Sequence, residues 1–374
     1  MLIGVLGGGQ LGQMIALAGL AMGLRFRFLD PSDEACAAAV GELHVGSFID
    51  SAAIDRFVQN LDAATFEFEN VPVSALHQVA SRRPTYPSAK SLEVGQDRGK
   101  EKALFASVGL DVPRYVLSRT PVQLETAMEA LGLPVVVKTV REGYDGKGQR
   151  VVRDEASMRS AIEALGNAEV IVERMVSFRR EVSLIGVRSV TGEMAFYPLT
   201  ENIHQSGMLR VSTPRADDPL QPEAERVGRA IMESLEHVGV LAIEFFVERD
   251  ASGKERLLGN ELAPRVHNSG HWTQDASETS QFENHLRAIL GWPLGRTSLT
   301  RACVMVNMIG RVPGREELLE VRDARAWPRI HVYGKASRAG RKVGHVNVVG
   351  ESLSAVESLV TALRAVTLRA EAMA

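Results

Sequence analysis

The sequence predicts a chain of α/β and α+β units, led by a doubly wound parallel sheet. Three observations carry this reading. Short apolar runs alternate with a helical pattern through the first part of the chain, the order that builds a parallel sheet. A Val-rich run, Pro134 to Lys138, is followed by a glycine-rich loop and a returning apolar run. Further on, an apolar strand carries Glu244, and a second strand ends in Glu261.

Taken in order, strands are expected at Leu2 to Leu6, Leu24 to Leu29, Ala63 to Phe68 and Pro84 to Ser88. An Ala- and Leu-rich helix, Gln10 to Met22, separates the first two. A helix opens in Gln96 to Lys102 and stops near Gly109, and Asp111 to Tyr115 reads as a connector, so a domain boundary falls in this region. The second unit has strands at Pro134 to Lys138, Arg150 to Val152 and Glu169 to Val176, with a helix over Glu155 to Leu165. The third has a helix from Pro222 to Val238, then the two carboxylate-bearing strands. Strands around Val304 to Ile309 and Arg329 to Tyr333 and an amphipathic helix from about Leu353 complete the chain. No internal repeat or low-complexity tract interrupts this order.

A chain of 374 residues has room for two or three domains. Apolar content of 45% and charged content of 24% place it among globular proteins. A net charge of −3 gives no electrostatic reason to expect nucleic acid or an anionic membrane as partner. Cys36 and Cys303 match no metal spacing and suit a reducing compartment. There is no leader-like n-region and h-region and no apolar run of membrane-spanning length, so a cytoplasmic enzyme is expected.

Several motifs carry chemistry. Gly7 to Gly12 satisfies G-x-G-x-x-G after a strand, and Asp30 ends the next strand where a ribose-binding acid sits in a dinucleotide fold. A tight turn without ligand fits the same residues. Gly143 to Gln149 joins two strands through three glycines, whose N–H groups can close over phosphates. Lys138 is a cation on an apolar strand and calls for an anion, although a snorkelling lysine is equally compatible. Glu173 to Val176 has the character of a hinge strand reading adenine through backbone groups, with Glu181 placed for ribose hydroxyls. Glu244 and Glu261 together suit one divalent cation, since Mg²⁺ takes one or two carboxylates plus nucleotide phosphates. Taken singly, each is also an ordinary solvated edge charge. Arg265 and Asn268 follow closely enough to hold an anion beside that metal. Lys335, Arg338, Arg341, Lys342 and His345 form a basic cluster that reads alone as a solvated face.

This order of parts resembles the ATP-grasp superfamily. Within it the chain is similar to the N5-carboxyaminoimidazole ribonucleotide synthetase family over essentially its whole length. The resemblance rests on Gly7 to Gly12, Phe66 to Val71, Gln96 to Arg98, Tyr144 to Gln149, Glu201 to His204, Asn260 to Thr273, Tyr333 to Lys335 and Gly340 to His345. It implies an ATP-grasp fold: an N-terminal doubly wound domain at residues 1–95, a linker and lid at 96–182, and a C-terminal α+β domain at 183–374. It implies a ligase that carboxylates 5-aminoimidazole ribonucleotide with bicarbonate and ATP, through carboxyphosphate, in purine biosynthesis. ATP is then expected at Arg98, Lys138, Gly143, Tyr144, Asp145, Gly146, Lys147, Gly148, Gln149, Glu173, Arg174, Met175, Val176, Glu181, His204, Asn260 and Glu261. Mg²⁺, or Mn²⁺ in its place, is expected on Glu244 and Glu261. Arg265 fits as the cation holding bicarbonate and then carboxyphosphate, with His267 and Asn268 orienting the intermediate. Gln10, Glu69, Tyr144, Asp145, Lys335, Arg341 and Lys342 are expected at the ribonucleotide, which turns the N-terminal glycine loop into a substrate loop. The resemblance also implies a homodimer. Val343 and Met208 depart from the family pattern as apolar swaps that touch packing only. The rivals are another ATP-grasp enzyme, using formate or biotin, and a nicotinamide oxidoreductase built on Gly7 to Gly12.

Overall fold

The computed structural model describes residues 1–141, 143, 148–165, 167–249, 252–321 and 324–373. The expected nucleotide or substrate contacts at Tyr144, Asp145, Gly146 and Lys147 lie outside these.

Three sheets follow one another along the chain. The first is wholly parallel and contains β1 (Leu2–Leu6), β2 (Arg25–Asp30), β3 (Glu42–Val45) and β4 (Ala63–Phe66), in the order β3-β2-β1-β4. The run at Pro84 to Ser88, expected as a strand, is reduced to a single bridge between Thr85 and Ala64. Two prolines and a serine cap leave it too few donors for a ladder, and Ser88 starts the next helix instead. β3 is a strand the sequence reading misses, since its burial is only partial and its apolar signal weak.

The second sheet is antiparallel: β5 (Tyr115–Ser118), β6 (Val135–Thr139), β7 (Gln149–Val152) and β8 (Val170–Arg174), in the order β5-β8-β6-β7. The third has nine strands: β9 (Arg180–Arg188), β10 (Met194–Phe196), β11 (Thr200–Gln205), β12 (Met208–Pro214), β13 (Gly239–Arg249), β14 (Glu255–Ala263), β15 (Ala302–Gly310), β16 (Ala326–Val332) and β17 (Arg338–Gly350). Its order is β14-β13-β9-β11-β12-β15-β17-β16, with β10 on β9.

Two packing contacts position the site. The helix Gln10–Ala21 lies against the helix Gln281–Leu290, and one apolar core runs from Ile3 and Met14 through Trp272 and Phe282 to Val240. This joins the first sheet to the third. Gly19 has no room for a Cβ, which would meet Phe26 and Leu286. The second contact is the helix Arg98–Ser107. Asp97 caps it by accepting from the amides of Gly99 and Lys100, and Leu104 and Phe105 bury its apolar face against β13 and β14. Its first turn is thereby laid along the strand that carries Glu261.

Candidate active site

Glu244 on β13 and Glu261 on β14 stand directly opposite each other in the antiparallel ladder. The register slips just beyond: Phe245 pairs with Gly259, leaving Asn260 as a bulged extra residue. A bulge re-aims side chains, and here it turns Glu261 onto the face occupied by Glu244. Like charges directly opposite destabilise a ladder. Burial pushes the Glu244 carboxyl up to about 7, the nearby charge of His204 lowers it, and the charges of Glu261 and Glu181 raise it further. Two hard oxygen donors set opposite each other fit a divalent cation. Among the described residues no cluster of three or more His, Cys, Asp or Glu side chains forms a protein-only cage. Mg²⁺ is usually held by one or two carboxylates with the rest supplied by phosphates and water.

Around this pair the expected nucleotide residues converge. Arg98 reaches Glu261 at 3.3 Å and the carbonyl of Gly143 at 3.5 Å. Glu181 is bonded to His204 Nδ1 at 2.6 Å, and that bond, with the Glu244 charge, raises His204 despite the opposing effect of its burial. Phe178 stacks on Phe246, ring centroids 4.8 Å apart, beside the chain leaving β8.

At the expected hinge the structure refines the sequence reading. The Glu173 side chain is buried and grips two lysines, Lys138 in direct contact and Lys102 at 2.9 Å. Burial opposes its ionisation, but Lys138 and then Lys102 hold it down to about 2. The strand ends at Arg174, two residues before the run read from the sequence, and the amides of Arg174 and Met175 are bonded to the carbonyls of Arg114 and Pro134. These two N–H groups are not available to a base.

The glycine loop is saturated from within. Glu67 accepts from the amides of Gly9 and Gly12, at 2.9 and 3.2 Å, and Asp30 from the amide of Gly8 at 2.7 Å. The donors that a dinucleotide pyrophosphate would take are thus occupied by two carboxylates, which would also repel it. The oxidoreductase reading fails on this geometry.

What the loop does present is Gln10, whose Oε1 accepts from Lys335 Nζ. Burial lowers the Lys335 ammonium, while Cys36 and Glu67 raise it. Glu69 is in direct ion-pair contact with Arg265 Nε, and Gln96 holds the loop by donating to the carbonyls of Glu69 and Val71, both at 2.7 Å. Burial opposes the ionised Glu69, yet Arg265 brings it down to about 2. Glu69, Gln96, Arg98, Gly143 and Glu261 line one cleft. Arg341 is partly exposed and donates to the carbonyl of Ala336 at 3.3 Å. Lys342 acts electrostatically on Glu244, His204 and His267, so its charge bears on the carboxylate pair.

The turn Arg265 to Gly270 is rigidly built. Gln281 clamps the His267 backbone from both sides, at 2.9 and 2.7 Å. Ser269 is tied to Ser183, and Ser183 through Asn202 to Ser212, all buried. His267 Nδ1 accepts from the Ser269 amide, which leaves the ring proton on Nε2, 3.4 Å from Glu244. Burial, Arg265 and Lys342 depress His267 to about 3, so the ring is neutral. Asn268 exchanges reciprocal amide bonds with Asn307, at 3.1 and 2.8 Å. Its side chain is therefore engaged by protein, which narrows its expected role of orienting an intermediate.

Lys102 and Asn307 are residues of this site that the sequence reading misses, and Glu67 it places in a motif without giving it a role. Lys102 lies in the charged stretch Asp97 to Lys102, which resembles any solvated helix start, and only its i+4 spacing from Arg98 marks the shared face. Glu67 alternates with Glu69 across β4's end, a weak signal. For Asn307 there is none.

The comparisons with known proteins agree with this architecture. A ribonucleotide synthetase preATP-grasp domain matches residues 1–96, an ATP-grasp domain 103–282, and a phosphoribosylaminoimidazole carboxylase C-terminal domain 303–359. The N5-carboxyaminoimidazole ribonucleotide synthase of Pseudomonas aeruginosa is 45% identical over 93% of this chain and 94% of its own. The crystal structure of N5-carboxyaminoimidazole ribonucleotide synthetase from Thermus thermophilus superposes with a TM-score of 0.89 at 50% identity, covering 97% of this chain and 98% of that one. The Aspergillus clavatus enzyme, in complex with ADP and 5-aminoimidazole ribonucleotide, gives 0.87 at 28% identity over 98% of both chains. With three domain matches in series and identity of this extent, the chain belongs to the N5-carboxyaminoimidazole ribonucleotide synthase family of ATP-grasp ligases.

Proposed function

We propose that this chain carboxylates the exocyclic amine of 5-aminoimidazole ribonucleotide with bicarbonate, driven by ATP, giving N5-carboxyaminoimidazole ribonucleotide, ADP and phosphate. The observation that carries the reading is the contact of Glu69 with Arg265 beside the Glu244/Glu261 pair. A residue expected at the ribonucleotide and a residue expected at the activated carboxyl group are neighbours, as carboxyl transfer requires.

Bicarbonate is a poor electrophile. One of its oxygens attacks the γ-phosphorus of ATP, ADP leaves, and the resulting carboxyphosphate delivers its carboxyl group to the amine with loss of phosphate. A divalent cation on Glu244 and Glu261 would neutralise charge developing on the β- and γ-phosphates. Lys138, steadied by Glu173, and Arg98, steadied by Glu261, supply fixed cations for the same phosphates. Arg265 commits Nε to Glu69 and one Nη to the Val266 carbonyl, and its remaining N–H groups offer a planar fork to bicarbonate. His267, neutral and with its proton on Nε2, serves as a donor rather than a charge. Gln10, Glu69, Lys335, Arg341 and Lys342 receive the ribonucleotide, the cations its phosphate. Glu181 and His204 suit the ribose of ATP, and the Val176 segment its base. Asn260, the bulged residue next to Glu261, would contact the nucleotide close to that cation. The saturated packing of the Arg265 to Gly270 turn keeps water from relaxing that geometry, which matters for an intermediate that hydrolyses readily.

The division of labour follows the chain: residues 1–95 for the ribonucleotide's base end, 96–182 for covering the nucleotide, 183–374 for the metal, the carboxyl chemistry and the ribonucleotide's phosphate. Magnesium, a homodimeric state and a cytoplasmic location complete the reading; among the described residues no helix is long and apolar enough to cross a membrane. The test is ADP release measured with ATP and Mg²⁺, omitting the ribonucleotide and bicarbonate in turn. Full turnover is expected only with both. Turnover with formate replacing bicarbonate would move the chain to another ATP-grasp reaction.

A further inference from the structure

Lys102 is fully buried, and its ammonium donates to two backbone carbonyls and lies in ion-pair contact with one carboxylate. It donates to the carbonyl of Asn260 at 2.7 Å and to that of Gly259 at 3.2 Å, and it pairs with Glu173 at 2.9 Å. Taking an ammonium out of water is costly unless its charge and donors are met. A methionine would fill the same volume without that cost, so packing alone gives no reason for a lysine here.

Its neighbours on the same helix act on the same four residues. Arg98, one turn earlier, meets Glu261 at 3.3 Å, and Glu101 accepts from the amide of Leu262 at 2.8 Å. The helix Arg98–Ser107 thus holds Gly259, Asn260, Glu261 and Leu262 in succession, and these include the bulge that aims Glu261 at Glu244. Lys102 alone among these helix residues also reaches across to β8, where the carboxylate it grips is the one that contacts Lys138.

We propose that Lys102 is a positioning residue for the nucleotide and metal site: it locks the Asn260 bulge of β14 to the Glu173 carboxylate of β8, fixing the separation between Glu261 and Lys138. The inference rests on the reading that these two side chains hold ATP and its metal. Lys102 touches neither, and acts through the backbone of Asn260 and through Glu173. Its loss lets the bulge shift and leaves Glu173 held by Lys138 alone, so the cost falls on nucleotide and metal binding and spares the ribonucleotide.

The test uses the full chain with Lys102→Met, which keeps the volume and removes the donors. The dissociation constant for ADP with Mg²⁺ is measured by calorimetry, with melting temperature and steady-state kinetics on the same preparation. Expected is a rise of about 10- to 100-fold in that constant and in KM for ATP, the range seen when partners that orient metal ligands are removed, with KM for the ribonucleotide unchanged. Val227→Ala, in the core beneath the same helix, serves as control and lowers the melting temperature without moving KM for ATP. Should Lys102→Met not fold, Lys102→Gln, which retains two donors without charge, is read in the same way. A variant that is less stable yet binds ADP and Mg²⁺ like the wild type overturns the proposal, because Lys102 is then a core residue only. Absence of ADP binding by the wild-type protein is a different signal: it overturns the nucleotide-site reading, and the proposal with it.

Discussion

Glu69 and Arg265, 196 residues apart in sequence, meet as an ion pair between the loop after β4 and the turn after β14. The contact ties the N-terminal sheet to the strand of the carboxylate pair. It also fixes the Nε edge of a guanidinium whose Nη1 donates to the Val266 carbonyl. Removing either partner leaves a buried charge without its counterion, whereas exchanging arginine for lysine keeps the charge and loses the fork.

Arg265→Lys should therefore lower turnover by roughly 100-fold, as for loss of one preorganised electrostatic donor, while ATP affinity stays near wild type. Melting temperature and kinetics on one preparation separate this from a structural role. If stability falls and turnover per folded molecule does not, Arg265 has no part in the chemistry.

Glu261→Gln should nearly abolish ATP turnover and leave the fold intact. A carboxylate lost from the pair weakens metal binding, and the glutamine also relieves the repulsion with Glu244. The melting temperature measured in chelator should change little, because relief of that repulsion is offset by loss of the Arg98 counterion, and stabilisation by Mg²⁺ with ADP should disappear. Wild-type turnover at ordinary Mg²⁺ would remove Glu261 from the site.

Acid stability gives a third check. Glu69 and Glu173 each sit at about 2, against an ordinary value of 4.5: burial works against ionisation, and Arg265 at the one, Lys138 and Lys102 at the other, overcome it. As pH falls the unfolded chain takes up these protons first. Their contribution is fully present above about 4.5 and is lost as pH drops toward 2. At 1.36 kcal/mol per pKa unit the ceiling is about 3 kcal/mol each. Glu69→Gln and Glu173→Gln should each flatten the acid limb of the denaturation free energy against pH. An unchanged slope below 4.5 would mean the pairs contribute nothing.

Asn307→Ala should cost about 1–3 kcal/mol, the penalty for leaving a partly buried amide unpaired, and should lower kcat with little change in KM for ATP, because Asn268 loses its reciprocal partner. If Asn307→Ala alters only stability, Asn268 does not depend on that pairing for its function.

Much of this site is legible in the sequence because its parts are local. Glu244 and Glu261 stand out as carboxylates in apolar strands, and Lys138 as a cation after three valines. The pairing between elements is not local and is not legible. Nothing near Glu69 announces Arg265, and no spacing signals the Asn260 bulge, since an extra residue in a ladder appears only against its partner strand. Glu173 shows the same limit: its position reads as important, but not its grip on two lysines. β10 has only three residues, and β11 and β12 are rich in polar side chains, so none shows an alternation strong enough to separate from loop, although Asn202 and His204 lie there. The glycine loop misleads in the other direction, because its pattern fits a dinucleotide site until Glu67 and Asp30 are seen to fill it.

The central claim is that bicarbonate is activated by ATP in this cleft and then passed to the amine. It is tested most directly by running the reaction with ¹⁸O-labelled bicarbonate and analysing the phosphate released. Attack of a bicarbonate oxygen on the γ-phosphorus should leave one labelled oxygen in each phosphate, with the remainder in the carboxylated ribonucleotide. Phosphate without label, at normal product yield, would contradict carboxyphosphate formation and with it the roles given to Arg265 and the carboxylate pair.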